Sequence, residues 1–203
     1  MSLLATGVLL GLLAANPAAA QDAPLPLQCQ ASPPIIAAQT FSLDEGVTAN
    51  APSSVTAGST FAVSIAPDAL TVPVSVSGYT VNSISGLTLT MPIPTNATLN
   101  GVTLSGGSGL GSGTPNVSEN GTTIVLNVPG PIAGGSSFTL PKVTLDLTAG
   151  ASGTTIDTRL AGSSYADPGL TFTASVPFWL FTLSVPTACY PSPNPVLSST
   201  TVQ

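Results

Sequence analysis

Few groups in this chain are able to do chemistry. Two thiols, Cys29 and Cys189, lie near its ends, eight carboxylates stand against two cations, Lys142 and Arg159, and histidine is absent. Two thiols can be oxidised to a disulfide, act as a redox couple or contribute to a metal site. Without histidine they cannot complete a structural zinc site, and an even cysteine count in an exported chain favours a disulfide. A Cys29–Cys189 bond is therefore expected. It closes a loop spanning most of the chain, which the chain-entropy description values at up to about 4 to 5 kcal/mol.

The absence of histidine removes the usual general base near neutral pH, and with it every Ser-His-Asp or Cys-His arrangement. A Ser-Lys pair would have to use Lys142, which follows Pro141 and has no visible partner. Carboxylates can do acid and base work alone, but Asp157 is followed by Thr158 and Arg159 rather than by the Thr or Ser and then Gly of an aspartic-protease loop. Asp44-Glu45 before Gly46, Asp68, and Asp167 in "YADPG" lack the alternating spacing of a calcium loop. They are expected to be solvated turn residues. Asp157 and Arg159 share a face of an extended segment and should pair with each other.

"GSGLGSG", residues 107–113, imitates a dinucleotide loop, but Ser112 stands where the third glycine belongs and Pro115 follows. Asn96, Asn116 and Asn120 head formal glycosylation sequons of the sort an Asn-, Ser- and Thr-rich chain produces by chance. The expectation is a non-enzymatic protein with no cofactor and no metal. A net charge of −6 also excludes nucleic acid, whose binding scales with the Lys and Arg available.

Aromatic residues make up 5% of the chain, yet the only tryptophan, Trp179, sits between Phe178 and Phe181 in "SVPFWLFTLSVPTAC". Large aromatics are mostly buried, so the expected role of this cluster is to plug the core close to the disulfide. The competing role is contact with a partner or with lipid, carried by Phe178, Trp179 and Phe181 and more weakly by Tyr165 and Tyr190.

The elements that position these residues are predicted to be strands throughout. Short runs of Val, Ile, Leu, Thr and Phe alternate with clusters of Gly, Pro, Asn and Ser, and 20 glycines with 20 prolines break any helix. "NVSENGTTIVLNV" predicts a hairpin turning at Asn120-Gly121. "GLTLTMPI", "STFAVSIAP" and "GTTIDTRLAG" predict further strands, and "LSGGSGLGSGTP" a flexible loop. Two segments slip phase by one residue: one at Pro141-Lys142, where a bulge or bend is expected, and one around Pro177, where the strand should bulge or cross between sheets. The fold class is an all-β, immunoglobulin-like two-sheet β-sandwich.

At the start, an apolar run from Leu3 to Ala15 followed by Ala18, Ala19 and Ala20 predicts a signal peptide over residues 1–20. An extended segment over 21–26, a sandwich domain over 27–190 and a flexible Pro/Ser/Thr tail over 191–203 complete the expected organisation. The predicted location is secreted or envelope associated.

In "PGPIAGGSSFTLP", "AGSSYADPGLTFTASVP" and "GSGLGSGTP" the chain resembles secreted proteins of unassigned function from actinobacteria with mycolic-acid envelopes. The resemblance covers most of the mature domain and carries no catalytic motif. It implies an exported β-sandwich associated with the cell envelope. The expected role is structural or binding, with an envelope lipid, glycan or protein as partner. The alternatives are a carrier of a lipid or small apolar ligand between the sheets and a self-associating surface subunit.

Overall fold

The structure, a computed structural model, describes residues 18–203, and all regular elements among them are strands. In chain order these are β1 (Ala18–Ala31), β2 (Gln39–Pro52), β3 (Ser54–Val55), β4 (Thr60–Pro67), β5 (Ala69–Thr71), β6 (Ser75–Val76), β7 (Tyr79–Thr80), β8 (Ser83–Pro92) and β9 (Ala97–Ser105). The second half supplies β10 (Asn116–Asn120), β11 (Thr123–Val128), β12 (Ile132–Ala133), β13 (Ser137–Thr139), β14 (Lys142–Ala149), β15 (Thr155–Thr158), β16 (Leu170–Phe178), β17 (Phe181–Pro191) and β18 (Ser198–Val202).

One antiparallel sheet runs β10-β11-β8-β16-β17-β1-β2-β4-β14-β9, with β12 also paired to β8. It folds over on itself until its end strands, β9 and β10, approach each other. The two halves form the layers of a β-sandwich, and three smaller sheets, β13-β5, β15-β18-β3 and β6-β7, accompany it. Alternation puts one residue in two into the core. Ile124, Leu126 and Val128 point in from β11, and Val143, Leu145 and Leu147 from β14. Cys29 and Cys189 are opposite each other in the β1–β17 register, fully buried and bonded.

Several local expectations change. The hairpin near Asn120-Gly121 forms, but Asn120 pairs with Thr123 and the two-residue loop is Gly121-Thr122. Gly121 takes the positive φ at the first loop position, and the Thr123 hydroxyl donates to the Asn120 carbonyl at 3.0 Å. At Pro141-Lys142 the chain leaves β13 for β14, and so moves from the small sheet to the large one. The phase slip is therefore a bend that keeps both Phe138 and Val143 buried.

Around Pro177 there is neither bulge nor crossover. Phe178 pairs with Phe181, so the segment is a tight β16–β17 hairpin and the slip is its two-residue loop. The glycine-rich segment is not free either. Leu110 is buried, Ser108 bridges to Thr139, and a side chain at Gly109 would lie 2.5 Å from the Ser137 carbonyl, so the loop braces β13.

The expected flexible tail over 191–203 is also corrected. β18 pairs with β15 and, in parallel, with β3, and Leu197, Ser198, Thr200 and Val202 are buried. Its Ser and Thr residues satisfy themselves inside: the Thr158 and Ser198 hydroxyls lie 2.7 Å apart, and Thr200 donates to the Pro52 carbonyl at 2.8 Å. At the other end, residues 1–17 of the expected signal segment lie outside the described residues. Ala18, Ala19 and Ala20 continue β1, as does the extended segment over 21–26, all paired with β2.

Candidate functional site

The inner face of β16 and β17 is apolar because Phe172, Ala174 and Val176 alternate inward on one strand and Leu183, Val185 and Thr187 on the other. Opposite this wall stand Leu70 and Thr71 of β5, Phe138 of β13, and the β6–β7 hairpin with Val76 and Tyr79. The β6–β7 turn uses Ser77 and Gly78, both at positive φ, the signature of a type I′ turn. The two walls do not meet. Between them lies a cavity of about 120 Å³ whose further lining includes Phe41 and Leu43 of β2, Pro33 and Ile36, and Ile84 and Leu87 of β8. It is partly open, and the exposed residues Thr71 and Pro73 lie on its rim.

Interiors are close-packed, with few voids larger than a water molecule. By the measured dependence on residual cavity volume, a void of about 120 Å³ lowers stability by up to about 3 kcal/mol. With so little polar lining, such a space does not hold water well and suits an apolar guest; an engineered apolar cavity of about 150 Å³ in another protein stays dry and binds benzene.

The aromatic cluster sits at the far end of the same hairpin. Phe178 is half-buried against the core, and its ring lies 5.7 Å from that of Phe181. Phe181 is 52% exposed, Trp179 91% and Leu180 100%. The expectation that Trp179 plugs the core is thus overturned. The tight turn throws its side chain outward, because a two-residue reversal leaves no inward position for either loop residue. Tyr165 and Tyr190 stack edge to face at 5.1 Å. Tyr190 lies nine residues along β17 from Phe181, about 30 Å of extended chain away, so the tyrosines are not part of the tip.

One carboxylate departs from its expected solvated turn. Glu45 is in mid-β2, opposite Leu25, only 8% exposed, and its Oε1 has no hydrogen-bond partner. Burial pushes its pKa up to about 8, with the Asp68 charge adding to the shift. Asp68 donates its backbone N–H to the Gly46 carbonyl at 2.8 Å, which brings the two acids together. Neither lines the cavity. No sequence signal marked Glu45, because strand alternation with Val47 and Ala49 becomes visible only once β2 is known to extend through "DEG".

Three other charged residues make local contacts. Arg159 lies 3.8 Å from Asp157 and donates to the Asn194 carbonyl, and Asp167 accepts from the Ser163 hydroxyl. Among the described residues, no three of His, Cys, Asp and Glu gather closely enough to hold a metal ion.

No family model matches the chain, and no curated protein matches it. Among solved structures it is similar to a crystal structure from Corynebacterium diphtheriae described as "Putative membrane anchored protein", with a TM-score of 0.61 and 19% identity. The match covers 90% of this chain and 38% of that one, so this chain spans well under half the length of the protein it resembles, and what the two demonstrably share is a fold.

Proposed function

We propose that this is an exported, non-enzymatic envelope protein that holds a short apolar group, the end of an acyl chain or a single ring, in the cavity between its layers. The observation that carries this reading is the cavity itself: about 120 Å³ of apolar space kept partly open between the layers, where interiors are ordinarily close-packed. The buried disulfide suits an oxidising compartment outside the cytoplasm. The low charge of the chain and its fold likeness to a protein described as membrane anchored are consistent with an envelope location.

A guest that binds only the folded state raises thermal stability with concentration. Thermal unfolding with and without a soluble alkyl probe such as hexanol therefore tests the proposal. The melting temperature should rise saturably with the probe, and Ala174→Phe, which fills the space from β16, should abolish the rise. No rise in the parent protein, or the same rise in Ala174→Phe, would refute the assignment.

A further inference from the structure

The β16–β17 hairpin outruns the sheet that holds it. β8 accompanies β16 only as far as Ser175, and β1 accompanies β17 only from Thr187 onward. Over residues 176–185 the two strands have, among the described residues, only each other as strand partners. From Ser175 to Trp179 is about 13 Å of extended chain, and at its end stand Trp179 and Leu180. A two-stranded ribbon is marginal in water by itself, and this one ends in large apolar side chains. Its loop also holds Trp179 at a φ of 54°, a conformation that L residues with a side chain seldom adopt.

Two features indicate what such a tip meets. The first is charge. No Asp, Glu, Lys or Arg occurs in residues 31–43, 69–118 or 168–203, so the hairpin and the segments beside it carry none. Those neighbours are fixed by the Ser32 N–H bond to the Pro186 carbonyl and the Asn82 N–H bond to the Ser175 carbonyl, both 2.8 Å. The same uncharged segments hold two more exposed apolar residues, Ile35 and Val74. An uncharged surface has no ion to desolvate on entering an apolar phase and no ion to offer a charged partner. The second is the edge. Pro177 and Pro186 lack N–H donors and blunt the free edges of the ribbon against an added strand. Backbone pairing with a second protein chain is thereby disfavoured. A bilayer interface requires neither charges nor strand edges, and an amphipathic indole is well suited to it.

We propose that the hairpin tip, Trp179 and Leu180 with Phe181 behind them, inserts into the surface of a lipid bilayer. The docking stands on the tip and its surroundings. Only the further step, that lipid so contacted supplies the guest of the cavity, rests on the apolar-ligand reading above, and the inward residues Val176 and Leu183 of the same hairpin connect the two.

Trp179 is the only tryptophan, so its fluorescence reports the tip alone. With phosphatidylcholine vesicles its emission should move to shorter wavelength, and the protein should cosediment with them to the same extent at low and high salt. The double variant Trp179→Ser/Leu180→Ser should bind at least about tenfold more weakly, as expected for losing the burial of two large apolar side chains, while its melting temperature stays within a few degrees of the parent's. Single-variant Leu180→Ser keeps the fluorophore and should show a smaller shift.

Absence of both shift and cosedimentation would overturn the proposal, as would undiminished binding by the double variant. A shift that appears on raising protein concentration without vesicles would replace it with self-association. Ala174→Phe separates the two readings: it should lose alkyl binding and keep vesicle binding.

Discussion

Phe178 and Phe181 are the last pair of the β16–β17 hairpin, their rings 5.7 Å apart and tilted by 57°, leaving only Trp179 and Leu180 to reverse the chain. A reversal this short requires positive φ at its first position, normally a glycine. Trp179 occupies it at 54°, at a cost of about 1 to 2 kcal/mol for a residue bearing a Cβ. Strain held by an exposed residue of this size is consistent with the bilayer contact proposed for it.

Trp179→Gly should consequently leave stability unchanged or raise it, since relief of the backbone offsets the glycine's greater chain entropy of about 0.5 to 1 kcal/mol. Urea unfolding midpoints check this. A loss of more than about 1 kcal/mol would mean that the indole packs in the folded state.

Glu45 predicts a pH dependence. Its folded pKa, raised to about 8 by burial and by Asp68, lies above its unfolded value, so the folded state binds the proton more tightly. Stability should be greatest below about pH 4.3 as far as this group is concerned, and should fall as pH rises toward 8, by about 1.4 kcal/mol per unit in between. Glu45→Gln should remove that slope, as read from unfolding free energies between pH 5 and about 8. An unchanged slope would place the titration elsewhere.

The C-terminal segment should be essential to the body. Leu197 is 2% exposed, and Leu197→Ala should lower stability by about 3 kcal/mol in urea unfolding. An effect within about 0.5 kcal/mol, typical of surface sites, would restore the segment to a free tail.

Much of the fold was legible in the residues, and the misses have physical causes. Alternation located β4, β8, β11 and β15, and the two cysteines indicated their own pairing. The β16–β17 hairpin was hidden because its loop contains no Gly, Asn or Pro, and Pro177 drew attention to a bulge instead. β18 reads as a solvent-exposed tail in "LSSTTV" because Ser198 and Thr200 are polar; their burial depends on Thr158 and Pro52, which only the tertiary fold brings near. Glu45 escaped for the same reason, its environment being set by Asp68 and by the sandwich interior. The cavity is a gap between two walls, and no run of residues encodes a gap.

Removing the disulfide should have its largest effect through the unfolded chain, because the bond closes 160 residues. Cys29→Ser/Cys189→Ser is expected to lose up to about 5 kcal/mol, measured by urea unfolding against the oxidised parent. A double variant as stable as the parent would mean that β1–β17 pairing alone holds the chain ends.

Calorimetric titration with a series of alkanols of increasing chain length addresses the cavity most directly. Each added methylene should tighten binding about fourfold while the cavity fills, then cease to matter once the 120 Å³ is occupied, and Ala174→Phe should show no binding across the series. Affinity that is absent throughout, or that keeps growing with chain length equally in the parent and in Ala174→Phe, would contradict an apolar ligand site between the layers.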